Sequence, residues 1–156
     1  MTYSHVEKGQ ENLTLHDCIA NGAEICDGVL SFFFDEGFWI ASFHPENGTG
    51  NTVRTDASAV KYYLSRGIIE DCTVFVFRRF FKATLRKELS IETLVSMIRE
   101  KRCSIEFLYQ YADENSRIIK CALHYPRRPY YEACELMIYV DREEYLWNGL
   151  REDHVW

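Results

Sequence analysis

From Leu30 to Trp39 the chain reads LSFFFDEGFW, with Phe or Trp at five of ten positions. Two strand-like runs, 29–34 and 38–43, flank Asp35-Glu36-Gly37, and three residues ending in Gly suit a type I turn closed by a left-handed Gly bulge. That geometry sets Phe34 opposite Phe38, Phe33 opposite Trp39 and Phe32 opposite Ile40. Strand side chains alternate between faces. Leu30, Phe32, Phe34, Phe38 and Ile40 therefore share one face, and Val29, Phe33, Trp39, Ala41 and Phe43 share the other. Both faces are apolar, whereas an antiparallel hairpin with one solvated face carries polar residues there. This segment predicts a hairpin covered on both sides, by core and helix, by closure of the sheet, or by a partner.

The rest of the chain supplies more strands and little helix. Residues 1–12 are polar and aperiodic, a loosely ordered lead-in. Strands are expected over 14–20, 60–64, 72–81, 104–111, 117–125 and 132–140, the fourth and fifth of these as hairpin neighbours. One helix is clear near residues 91–101. Ser90 is a good N-cap, and Ile91, Leu94, Val95 and Ile98 fall on one buried stripe, with basic residues at the C-terminal end. The tail from Glu143 is expected to add a helical turn or two docked by Tyr145, Leu146 and Trp147. Strands, one helix, then more strands predict an α+β fold, mainly antiparallel and either strongly curved or barrel-like. With 156 residues and no linker or repeat, the chain reads as a single domain, 1–156.

Charge and cysteine usage narrow the setting. The formal charge is −6, which disfavours nucleic acid and anionic membrane for the molecule as a whole and favours a basic partner surface. No apolar run reaches membrane-spanning length, and the first residues lack the basic and apolar regions of a signal peptide, so a cytoplasmic protein is expected. Cys18, Cys26, Cys72, Cys103, Cys121 and Cys134 are scattered singly, which predicts reduced thiols packed inside strands.

The motifs of common enzyme classes are missing. No Gly-x-Gly-x-x-Gly, Walker-type loop or Gly-x-Ser-x-Gly occurs, so no nucleotide cofactor and no serine nucleophile is expected. His16, His44 and His124 are the candidate polar handles of a site. Their spacing matches no zinc motif, and no metal is expected. In a continuous strand His16 and Asp17 point to opposite faces and cannot act side by side. Residues 77–87, FRRFFKATLRK, hold five basic residues and no acidic one among three Phe, a mixture also seen in single-strand nucleic-acid binders. Against a chain of net −6, solvated cations over buried Phe rings are the preferred reading. Arg127 and Arg128, set between Pro126 and Pro129, form a second basic spot suited to an acidic partner.

At LTLHDCIANGAEICDGVLSFFF, the residues Leu15, His16, Asp17, Leu30, Phe32 and Phe34 resemble small bacterial proteins whose first strand opens with Leu-His-Asp and whose second is of Leu-x-Phe-x-Phe type. Some of these are grouped with immunity proteins, which neutralise toxins by binding them. The negative charge, the missing motifs and the doubly apolar hairpin point to a non-catalytic protein-binding module with a protein partner. The resemblance adds a toxin as a candidate for that partner, and the apolar hairpin face makes a homodimer a further arrangement. The alternative is a small-ligand-binding domain or enzyme with an aromatic-lined pocket. Phe33, Trp39, His16, His44, His124, Arg127 and Arg128 are the candidate binding residues for either reading.

Overall fold

A computed structural model describes residues 2–156, without the side chain of Phe80. In chain order the strands are β1 (His5–Lys8), β2 (Leu13–Thr14), β3 (Cys18–Ala20), β4 (Gly22–Cys26), β5 (Val29–Phe34), β6 (Trp39–Ile40), β7 (Val53–Thr55), β8 (Ser58–Leu64), β9 (Cys72–Phe80), β10 (Ala83–Leu89), β11 (Ser104–Asp113), β12 (Ser116–His124), β13 (Tyr131–Trp147) and β14 (Leu150–Val155). One helix, α1 (Ile91–Arg99), follows β10, and a 3-10 turn spans Ile69–Asp71. Every strand pair in the sheets is antiparallel. The fold is thus α+β and mainly antiparallel.

The 17-residue β13 is the spine. Its first half lies between β12 and β9, and its second half between β1 and β8. One half-sheet runs β3-β11-β12-β13-β9-β10 and the other β1-β13-β8-β5-β4. The sheet is not closed into a barrel, because β3, β4 and β10 end it. Beside it β14, β7, β6 and β2 form a separate four-stranded sheet. The half-sheets meet through Phe32 and Phe34 of β5, whose rings lie edge-on to Phe107 of β11 at 5.2 and 5.4 Å. Helix α1 packs against β4 and β9 and buries Ile91, Leu94, Val95 and Ile98, the expected stripe. The Ser90 hydroxyl caps it by accepting from the Thr93 amide at 3.2 Å.

The aromatic hairpin does not form as expected. Gly37 does adopt the left-handed conformation, with φ +72°, but the chain leaves the turn for another sheet. Both edges of β5 are already taken by β4 and β8. Phe38 instead exchanges hydrogen bonds with Thr55, accepting from its amide at 2.8 Å and donating to its hydroxyl at 3.0 Å, which places Trp39 and Ile40 between β2 and β7. A side chain at position 37 would meet the Thr55 carbonyl at 2.2 Å, so only Gly permits this approach. Burial is also one-sided. Leu30, Phe32, Phe34, Phe38 and Ile40 are in the core, while Val29, Phe33 and Trp39 are half-buried and Phe43 is exposed.

Four further expectations change. Within the lead-in, His5–Lys8 pairs with the end of β13 as β1; Met1 lies outside the described residues. The strand expected over 14–20 is broken at Asp17, whose φ is +56°. Residues 83–89, unassigned from sequence, form β10. The tail expected to turn helical continues as β13. A register shift between Val140 and Arg142 inserts one residue, so burial moves from Cys134, Leu136, Ile138 and Val140 to Glu143, Tyr145 and Trp147, on positions of opposite parity. Tyr145, Leu146 and Trp147 do dock, as strand residues.

Candidate binding surface

The three candidate histidines do not converge. His16 bonds the Leu108 carbonyl through Nδ1. His44 Nε2 lies 2.5 Å from a Glu7 oxygen, and His124 Nε2 lies 2.7 Å from a Glu106 oxygen. Each imidazole ties its own strand or loop to a neighbour. Among the described residues no group of three or more His, Cys, Asp or Glu is placed to hold a metal ion. The break at Asp17 also alters the expected geometry there, bringing its carboxylate to 3.5 Å from His16 Nε2. All six cysteines are free thiols, five of them buried. Burial pushes the Cys18 and Cys72 thiols up to about 12 and Cys103 up to about 11, which keeps them protonated and poorly nucleophilic. Cys26 is the exposed exception.

His16 and Trp39 both pack against Trp156. The Trp156 ring stacks on His16 at 5.6 Å and lies 5.2 Å from Trp39. Arg54 covers Trp39 at 4.7 Å, and Tyr109 lies 5.2 Å from His16. Beside this row opens a cleft of about 330 Å³ lined by Gln10, His16, Tyr109, Gln110 and Trp156 among others. Gln110 connects the cleft to a buried polar network. Its amide oxygen accepts from the Tyr62 hydroxyl at 2.9 Å, and its amide nitrogen approaches Glu143 at 3.3 Å. Glu143 is also held by Arg117 Nε at 2.9 Å. Burial pushes the Tyr62 and Tyr145 hydroxyls well above the usual tyrosine range, so both remain neutral, Tyr62 donating to Gln110 and Tyr145 accepting from its amide nitrogen at 3.4 Å. Phe33 takes no part and packs against Gly22 on β4.

The β9–β10 hairpin carries the basic segment at an edge of the sheet. Arg78 is held by Glu132, whose second oxygen accepts from the Tyr125 hydroxyl at 2.8 Å. The Arg86 guanidinium lies over the Phe75 ring at 3.5 Å. Arg79, Lys82 and Lys87 point into solvent. A cleft of about 650 Å³ is lined by Phe77, Arg78, Arg79 and Thr84 of this hairpin and by Pro129, Tyr131 and Glu132. The expectation that the Phe rings of this segment are buried is corrected at two positions. Phe77 is half-buried and Phe81 is 85 % exposed, since the chain turns at Phe81 with φ +52°; the Phe80 side chain lies outside the described residues. Arg127, Arg128, Tyr130 and Tyr131 are exposed, and of these Tyr131 lines the cleft. Arg78 and Arg79 of the basic run and Pro129 of the Pro-Arg-Arg-Pro loop, separate in sequence, thus line one cleft.

Sequence reasoning missed Tyr109, Gln110 and Trp156 at the first cleft, because their meeting with His16 depends on long-range pairing. It missed β10 because an exposed strand has no apolar alternation to reveal it. The basic run itself was visible. No protein-family model matches the chain, nor does any curated protein or solved structure. Among the described residues no helix is long and apolar enough to cross a membrane.

Proposed function

We propose that this chain is a non-catalytic protein-binding module of the immunity-like kind, and that its binding face is the end formed by the β9–β10 hairpin and the loop carrying Arg127 and Arg128. The observation that carries this reading is the segregation of charge. Residues 77–87 hold five cations and no acid, so against a total of −6 the other residues sum to −11. Exposed Arg79, Lys82 and Leu85 belong to this segment, and clustered cations attract an acidic surface brought to them. Exposed aromatic and Arg side chains are also the residue types that anchor interfaces. The partner chemistry at this face is therefore acidic, although the net charge alone favours a basic one.

The test uses two baits, the wild-type chain and the triple variant Arg79→Glu, Lys82→Glu, Lys87→Glu, against lysate of the source organism. The reading requires a protein captured by the wild type and lost with the variant, which then forms a stoichiometric complex with the purified wild-type chain. Equal capture by both baits, or no stoichiometric complex, overturns it. A toxin as that partner, inhibited in the complex, would establish the immunity-like assignment.

One observation favours a second reading, a small-ligand site at the cleft beside Trp156. There His16, Tyr109 and Trp156 line the cleft together with Gln10 and Gln110, the mixture of apolar wall and few polar groups typical of ligand pockets. A compound that raises the melting temperature of the wild type but not of Tyr109→Ala would favour this reading.

A further inference from the structure

We infer that the cleft beside Trp156 is a binding site for an uncharged sugar, seated with the C–H face of its ring on exposed aromatic side chains and its hydroxyls on neutral amide and hydroxyl groups. This deepens the small-ligand reading given above and rests on it. Charged residues make up 27 % of the chain, yet no Asp, Glu, Lys or Arg lines this cleft. Asp17 and Arg54 touch His16 and Trp39 but do not belong to the lining. His16, the one titratable imidazole of the lining, spends Nδ1 on the Leu108 carbonyl and faces Asp17 with Nε2. A phosphate or carboxylate ligand would find no Lys or Arg there, and an ammonium ligand no carboxylate. Either would give up its hydration without a counter-charge.

The lining does carry uncharged polar groups that remain available. Among the described residues, the Gln10 side-chain amide, the Tyr109 hydroxyl and the Trp156 indole N–H have no hydrogen-bond partner. Thr14 accepts from the His16 amide at 3.2 Å and keeps its hydroxyl proton to donate. Gln110 is fixed in orientation by Tyr62, Glu143 and Tyr145 and keeps one oxygen lone pair. Donors and acceptors thus occur together, which suits hydroxyls, since each hydroxyl both donates and accepts. A purely apolar ligand would bury these groups unpaired. The rings supply the other half of the site. Tyr109 is 59 % and Trp156 61 % exposed, and a ring face, negative at its centre, attracts the C–H groups of a pyranose. A flat aromatic ligand is clamped on both faces only between parallel walls. Relative to the His16 ring, however, Trp156 is inclined by 16° and Tyr109 by 41°, so the two exposed rings are not parallel. A pyranose, a puckered ring with one C–H face to offer, makes no such demand.

The experiment is saturation-transfer-difference NMR on the full chain with glucose, galactose, mannose and N-acetylglucosamine. Glucosamine, glucuronate and adenosine serve as the cationic, anionic and planar comparisons, and titration of each probe gives its dissociation constant. The expected result is that at least one of the four neutral sugars binds at least tenfold tighter than every comparison probe, with saturation strongest on the C–H groups of one ring face. That binding should weaken at least tenfold in Tyr109→Ala. Trp156→Ala, at a second exposed position, should show the same loss, so the outcome does not hang on one variant folding. Failure of all four sugars to bind, or unchanged binding in both variants, would overturn the proposal. Tighter binding of adenosine would overturn the sugar and leave the small-ligand reading in place, and tighter binding of glucosamine or glucuronate would do the same. The small-ligand reading falls on a different result, the absence of any compound whose stabilisation of the fold depends on Tyr109, so the two fail separately.

Discussion

Phe32 and Phe33 are neighbours on β5 and point to opposite sides of it, so replacing each with Ala separates the energetics of the two faces. Phe32 is fully buried, with Tyr62 edge-on at 6.4 Å and Phe107 at 5.2 Å. Removing a buried Phe ring costs about 3–5 kcal/mol, the lost transfer energy plus the cavity left behind. Phe33 is half-buried, with Cδ2 3.2 Å from where a side chain on Gly22 would begin. Full burial of a Phe side chain contributes about 1.5–3 kcal/mol, so Phe33→Ala should cost about 1–1.5 kcal/mol. Equilibrium urea denaturation, followed by tryptophan fluorescence, should therefore separate the variants by about 2–4 kcal/mol at unchanged m value. In a domain of this size the gap amounts to roughly 4–16 °C in Tm. The reasoning would be refuted if Phe33→Ala were as costly as Phe32→Ala. A concentration-dependent Tm in the wild type would then identify association as the missing cover.

The ion pair between Arg117 and Glu143 is nearly dry, its side chains 12 % and 3 % exposed. Arg117→Met should cost about 3–5 kcal/mol by stranding a buried carboxylate. Arg117→Met combined with Glu143→Leu should recover most of that loss in urea melts. For Asp71, burial alone would raise the carboxyl pKa, but the Arg66 amide at 2.7 Å and guanidinium at 2.6 Å outweigh it and hold the value below the ordinary aspartate range. Asp71 should therefore stabilise the fold above that range and lose its contribution as pH falls through the depressed value. Asp71→Asn should flatten this part of the stability profile between pH 5 and the acid limit, and an unchanged acid limb would contradict the assignment. Gly37→Ala combines a left-handed φ with a 2.2 Å clash against the Thr55 carbonyl. It should destabilise by more than about 1 kcal/mol, the usual cost of Ala where φ is positive, as read from its urea midpoint.

Features encoded locally were legible in the sequence. α1 announced itself through Ser90 and the Ile91, Leu94, Val95, Ile98 stripe, and β9, β11 and β12 through runs of alternating apolar residues. The turn at Gly37 was legible too, but not the partner of the strand leaving it, because that choice depends on β4 and β8 occupying both edges of β5. The second half of β13 was hidden by its one-residue bulge, which reverses the phase of burial midway and gives Asp141 to Glu144 the look of a charged helical turn. At the candidate sites the basic run and the Pro-Arg-Arg-Pro loop could be read directly. That Arg78, Arg79 and Pro129 line a single cleft could not, since β13 pairs with β9 on one side and with β12 on the other. His16 and Trp39 were singled out for separate reasons, and only the position of Trp156 relates them.

The central place of β13 has a consequence for biosynthesis. The strands that flank it, β1, β8, β9 and β12, all leave the ribosome earlier, and His5 must wait for Trp147 to be made before the two can pair. No sub-assembly of the two half-sheets is complete until the last part of the chain has emerged. The nascent protein thus displays Leu30, Phe32, Phe34 and the apolar first half of β9 with their eventual cover still untranslated, a state exposed to aggregation and to chaperone capture. The two half-sheets thus join only once β13 has been made, with long-range pairing setting the pace of folding.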